Sequence, residues 1–275
     1  MLDEQLEEFY LKLEERDYPI YRFAINILSR SINLSTNFLN VSAKRYLELG
    51  YTIRFQCLRE SRNELYKLLK EDGGNYNHEA ILHTMHVNSI YIHMFGAFDN
   101  LAWVFQHEFN LLDDVSEKKN RKKIGLFEKE WLSALKQIDE NFVTDIKKFK
   151  NWYDESKEFR DPSAHRLPLY CPPIIQSEKD LLKKQELLQL LENISVDDPK
   201  YMTIFREAQS QGVFKSWFCC NDDQNTQFIS LIRAVFDDYE QFLKLSDLIF
   251  DWLEQKDKMK NVNRLNQNEQ PNEDN

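Results

Sequence analysis

Apolar residues recur along this chain at spacings of three, four and seven, in long runs separated by short polar breaks. That period marks amphipathic helices, each burying one stripe and wetting the opposite face. It predicts a helix from Ser42 to about Glu71, stopped by Gly73-Gly74, and a second from about Asn77 to Phe109. Further helices are expected over Glu128–Ile138 and Asn141–Arg160. The last long one, from about Thr226 to Gln255, carries Phe228, Leu231, Val235, Phe242, Leu245, Ile249 and Trp252 on its periodic positions. The first forty residues read as one or two shorter helices, broken near Asp17-Tyr18-Pro19.

The connections carry their own signals. Ser116 to Lys123 is polar and contains the basic run Lys118-Lys119-Asn120-Arg121-Lys122-Lys123. Leu167-Pro168-Leu169-Tyr170-Cys171-Pro172-Pro173 must be extended, because proline disfavours helix in the residue before it. Ser177 and Asp180 form a capping-box-like start to a charged helix reaching roughly Asn193, and Asp198-Pro199 starts another. Val213 to Cys220 has the character of a short strand. After Lys256 the hydrophobic period stops, and the Asn/Gln/Glu/Lys-rich end reads as a disordered tail. Four or five long helices with short connections favour an all-α, up-and-down helical bundle. The expected organisation is an N-terminal helical extension (1–41), a bundle (42–255) with an inserted helical segment at about 171–222, and the tail (256–275). Phe95, Trp103, Phe149, Trp152, Leu231 and Trp252 are the expected core.

Composition sharpens this picture. Six Gly and seven Pro in 275 residues suit helices better than a turn-rich β architecture, and 42% hydrophobic residues can fill a large core. The formal net charge of −10 argues against broad affinity for nucleic acid or anionic membrane, although a local cationic site remains open. Cys57, Cys171, Cys219 and Cys220 form no CxxC pair and suggest neither a disulfide framework nor a zinc site. The acidic start MLDEQLEEF lacks the basic character of a signal peptide. The most apolar stretch, Met85 to Phe105, is interrupted by His86, Asn88, His93, Asp99 and Asn100, so it reads as a buried helix rather than a membrane span. A cytoplasmic location follows as the expectation.

The candidate chemistry lies in Glu158-Phe159-Arg160-Asp161-Pro162-Ser163-Ala164-His165-Arg166. Five residues along an unbroken helix separate Arg160 from His165 by about 140°. Pro162 is expected to stop or kink the helix, with Asp161 capping a new turn, so that guanidinium and imidazole approach a common point. Arg offers a permanently charged fork for phosphate oxygens, and His moves protons near neutral pH. Arg160-x-x-x-x-His165, late in a bundle helix, resembles the RNase signature of the HEPN superfamily of helical-bundle proteins. The string from Arg160 through Arg166 to Tyr170 is similar to that of uncharacterised bacterial HEPN-like proteins, as is Phe95-Gly96-Ala97-Phe98-Asp99-Asn100-Leu101-Ala102-Trp103. The resemblance covers roughly residues 42 to 255. It implies a metal-independent endoribonuclease or RNA-binding protein of a defence or toxin–antitoxin type. It also implies a homodimer, an antitoxin as a possible partner, and no cofactor, with Arg160 and His165 catalytic. Asp161 stands where the active signature commonly has a polar amide.

Asp99 and Asn100 sit within an apolar stretch, and a buried carboxylate needs a partner. Arg160 or another arginine fits that need, so Asp99, Asn100, Asp161 and Arg166 are the supporting candidates. His86, His93, Asn100 and His107 recur every seven residues as one stripe. His83 and His86 alone have metal-ligand spacing, with no second pair, so hydrogen-bonded core or interface histidines are favoured over a metal site. The basic run fits a solvated loop better than an RNA contact. The rival reading throughout is a non-catalytic helical interaction module, in which Arg160 pairs with Asp161, Glu158 or Asp154.

Overall fold

A computed structural model describes residues 2–38, 40–70, 76–165, 167–172, 177–195, 198–209, 211, 217–221 and 226–268. Five helical rods build the bundle. The first is α1 (Leu2–Asn37). The second joins α2 (Val41–Arg45), a π-helical stretch (Tyr46–Thr52) and α3 (Ile53–Lys70). The others are α4 (Tyr76–Phe109), α8 (Lys150–His165) and α11 (Asp238–Asn268), the last entered through π-helical Arg233–Asp237. Smaller helices α5 (Lys118–Arg121), α6 (Lys129–Ile138) and α7 (Glu140–Lys147) link α4 to α8.

Cross-contacts fix the directions. Ser61 meets Ser89 and Gly50 lies against Asn100, so α3 runs antiparallel to α4. Tyr91 packs on Phe159 while Phe98 packs on Tyr153, making α8 antiparallel to α4. Phe98 on Phe242 and Phe105 on Trp252 make α11 parallel to α4. Arg16 reaches Asp237 and Arg30 reaches Asp247, Asp251 and Glu254, so α1 is parallel to α11. Three rods run up and two run down: the all-α up-and-down bundle read from the sequence.

Its core holds Phe95, Leu231 and Trp252, with Trp103, Phe149 and Trp152 partly buried against it. Trp252 packs against both Phe105 and Phe142 at ring-centroid distances of 5.1 and 4.6 Å, and its indole N–H donates to Asp139 at 3.0 Å. Beside the bundle, α9 (Glu178–Glu192) and α10 (Pro199–Gln209) pair as a hairpin within the expected insertion. The Ser177–Asp180 capping box is formed, and the Asp198 carboxylate accepts from Lys200 N at 2.8 Å.

Several boundaries differ from the sequence reading. Pro19 does not break α1. Only the Glu15 carbonyl loses its i+4 donor there; Glu15 is exposed, so water can satisfy it, while Ile20, Ala24 and Ile27 bury the helix. The helix expected over 141–160 is two helices, divided at Lys148–Phe149 by tighter bonds from Lys148 N to Asp145 O and Phe149 N to Ile146 O. Thr226–Ser230 is not helix but strand β2, antiparallel to β1 (Trp217–Asn221). Phe228, counted into the helical period, is half exposed there, and the helix starts only at Leu231. The disordered tail expected from residue 256 is not seen over 256–268, where α11 continues to Asn268. Lys256 is anchored by Asp139 at 3.4 Å and sits over the Trp252 ring. Gly73-Gly74 and residues 269–275 lie outside the described residues. Among the described residues, no helix is long and apolar enough to cross a membrane.

Candidate functional site

Along α8, Lys150, Tyr153/Asp154, Lys157 and Arg160 fall at steps of three and four, so they share one face. That face walls a cleft of about 630 Å³. Phe95 and Asp99 of α4 contribute a second wall, and Lys122, Ile124, Gly125, Phe127 and Glu128 a third. Lys122, Lys150, Lys157 and Arg160 face Asp99, Glu128 and Asp154, a local cationic excess in a chain of net charge −10. Lys150 is paired with Asp154 and lies 5.9 Å from the Phe127 ring. Lys157 and Lys122 make no ion pair among the described residues, so their ammonium groups are available to an anion.

Arg160 opens onto this cleft with 29% of its side chain exposed, and its Nη1 donates to Asp161 Oδ1 at 2.9 Å. Asp161 therefore holds the guanidinium. It is not the N-cap of a new turn, because α8 passes through Pro162 to His165 without a break. Two partners explain how the helix tolerates Pro162. The Glu158 carbonyl, deprived of its amide donor, is approached by the Cys220 thiol at 3.8 Å, and Ser163 Oγ donates to Phe159 O at 2.9 Å. With the helix unbroken, the Cα positions of Arg160 and His165 are about 140° apart around the axis. The expected kink at Pro162 is absent. The His165 side chain and all of Arg166 lie outside the described residues.

Asp99 and Asn100 part company. Asp99 lies in the Arg160 cleft, where water reaches it but surrounding protein still desolvates it, pushing its carboxyl up from the usual range. Arg160, Arg54 and Lys157, in that order, oppose the shift. No hydrogen bond joins Asp99 to Arg160, so the coupling is through space. Asn100 points instead into a shallower depression of about 440 Å³ with Ser42, Arg45, Tyr46, Leu49, Gly50 and His107. A Cβ on Gly50 would meet the Asn100 side chain at 2.6 Å, so the π-helical stretch admits Asn100 only because residue 50 is glycine. Tyr46, Trp103 and His107 stack there with centroids 5.3–5.5 Å apart.

The histidine stripe faces α2–α3. Burial lowers the pKa of His86, His93 and His107, with Arg54 adding to the effect at His93. Among the described residues no group of three or more His, Cys, Asp or Glu is placed to hold a metal ion.

The site residues that sequence reading missed are Lys150 and Lys157, whose helical spacing with Arg160 was visible, and Arg54, which only the α3–α4 packing brings near; Asp154, named as a possible partner of Arg160, pairs with Lys150 instead. Behind the cleft, buried Asp238 was missed as well. It accepts from Tyr91 Oη (2.7 Å), Trp152 Nε1 (2.8 Å), Ser156 Oγ (3.1 Å) and Arg233 Nε (3.2 Å), and so clamps α8 between α4 and α11.

Comparison of this chain with protein-family models, with curated proteins and with solved structures finds no match.

Proposed function

We propose that this protein is a HEPN-like, RNA-directed protein acting as a metal-independent endoribonuclease, with Arg160 and His165 as the reacting pair. The observation that carries the reading is the placement of Arg160: on an open, locally cationic cleft beside Lys157 and Lys122 rather than in the core. In this mechanism the RNA 2′-hydroxyl attacks the adjacent phosphate, the bond from phosphorus to the 5′-oxygen of the next nucleotide breaks, and His165 serves the proton transfers that take the 2′ proton and protonate the leaving 5′-oxygen. Arg160 stabilises the charge developing on phosphorus, and the product ends in a cyclic phosphate. The unbroken α8 separates the two Cα positions around the helix, which favours a homodimer in which each motif is completed by the other copy's. A toxin–antitoxin or defence role, with an antitoxin as partner, belongs to the same reading, as does a cytoplasmic location.

The Arg160–Asp161 pair favours a second reading, a non-catalytic module whose arginine is already occupied. Cleavage of a fluorescent single-stranded RNA separates the two. His165→Ala and Arg160→Ala should each abolish cleavage with the circular-dichroism signal and Tm nearly intact. Asp161→Asn should release Arg160 and raise the rate. Loss of Tm in both alanine variants, with RNA untouched by wild type, would make the motif architectural.

A further inference from the structure

Arg54 lies on α3, opposite the α4 turn that carries Asp99. The ideal Cβ position at Gly96 falls 2.5 Å from its Nη1, 2.6 Å from its Cζ and 2.8 Å from its Nε. Three guanidinium atoms thus occupy the space that any other residue at 96 would fill, and the plane lies against the α4 backbone. Gly96 and Asp99 are three residues apart and share a helix face. Asp99 in turn shares the cleft with Lys157 and Arg160. Arg54 therefore approaches Asp99 from α3 and Arg160 approaches it from α8.

Arg54 is only partly exposed, yet it makes no ion pair or hydrogen bond among the described residues. None of its nitrogens is both sealed from water and without a partner, so its five donors stay open to an acceptor. One turn before Gly96, burial and then Arg54 lower the pKa of His93. A guanidinium seated against Gly96, reached by water and without a carboxylate bonded to it, is a place that an anion can complete.

We propose that Arg54 is a second phosphate-binding residue, laid across Gly96 to hold a backbone phosphate of the same RNA strand whose neighbouring phosphate sits at Arg160. This rests on the RNA-directed reading above. Asp99 lies within electrostatic reach of both arginines without bonding to either.

The test uses the full-length protein and fluorescence anisotropy of a labelled single-stranded RNA, titrated at several salt concentrations, with inorganic phosphate in a parallel arm. Arg54→Gln should weaken RNA binding roughly tenfold and flatten the log K against log[salt] slope by about 0.7, one phosphate contact on a single strand. Gly96→Ala should reproduce both changes with Arg54 still present, because the new methyl displaces the mobile end of the arginine. Arg54→Lys should restore the slope but not the whole affinity. An unchanged slope in Arg54→Gln beside a flattened one in Arg160→Gln would overturn the assignment while leaving the RNA reading standing. Wild-type protein that ignores RNA but binds inorganic phosphate through Arg54 would keep the anion site and sink the RNA reading. Binding of neither would overturn both.

Discussion

Asp238→Ala is the perturbation that most directly tests how the cleft is held. The carboxylate side chain is 2% exposed and collects donors from Tyr91, Trp152, Ser156 and Arg233. Removing it strands the hydroxyls of Tyr91 and Ser156 in the core, each a loss of about 1–3 kcal/mol. Arg233 suffers less, since its side chain is 30% exposed and Glu155 lies 3.4 Å away. A total of about 3–5 kcal/mol is expected, the usual cost of breaking one side of a buried charged pair. At roughly 2–4 °C per kcal/mol for a chain of this size, Tm should fall by about 10 °C. Equilibrium urea unfolding supplies the free energy, and a double-mutant cycle supplies the mechanism. Tyr91→Phe should cost about 1.5–3 kcal/mol in wild type, the value of a hydrogen bond to a charged acceptor. In the Asp238→Ala background it should be neutral or stabilising, because the orphaned hydroxyl is then gone. Additive losses, or an Asp238→Ala variant within about 1 kcal/mol of wild type, would refute the clamp.

Other outcomes follow from the same contacts. His86, His93 and His107 have folded pKa values below the ordinary imidazole value, so the unfolded chain binds protons first. Stability should therefore be complete above about pH 6.5 and decline as pH falls below it, a loss that differential scanning calorimetry should show reduced in His93→Gln. Arg62, 2% exposed, pairs with Asp17, donates to Val235 O at 2.9 Å and stacks over Tyr66 and Phe236. Arg62→Ala should cost about 3–5 kcal/mol by urea unfolding, whereas Arg62→Met should recover much of it by filling the same space. Equal losses in the two variants would show that charge, not volume, governs that position.

Local signals in the sequence were legible where the chain satisfies itself. Ser177 and Asp180 form a cap three residues apart, and the period through Leu231, Val235, Phe242 and Trp252 marks a face that no partner needs to reveal. The errors lie where a distant residue supplies what the local rule says is missing. Pro162 should end a helix, but Cys220, far along the chain, approaches the carbonyl it abandons. Thr226–Ser230 fits a helical period only until β1 offers it a ladder. Asp139, which falls between two of the expected helices, caps α7 through Phe142 N and anchors both Trp252 and Lys256.

The candidate site divides along the same line. Arg160 and the charged face of α8 belong to one helix, and their spacing alone places them together. Asp99 was half legible: its apolar stretch suggested a buried carboxylate paired with Arg160 or another arginine, but the side chain is exposed and bonded to neither Arg160 nor Arg54. The structure sets Asp99 within the influence of both. Arg54 had no sequence signal of its own; Gly96 was the clue. A glycine inside a long helix gives up about 1 kcal/mol of helix propensity, and here the space it leaves is filled by a guanidinium rather than by backbone. The unbroken α8 adds a constraint that the motif alone did not carry. A reacting pair five residues apart on a continuous helix needs either long side-chain reach or a second copy. On the proposed endoribonuclease reading, oligomeric state and catalysis are therefore linked. An RNase that remained fully active as a strict monomer would require His165 to reach Arg160's face of the same helix, against the geometry of the turn.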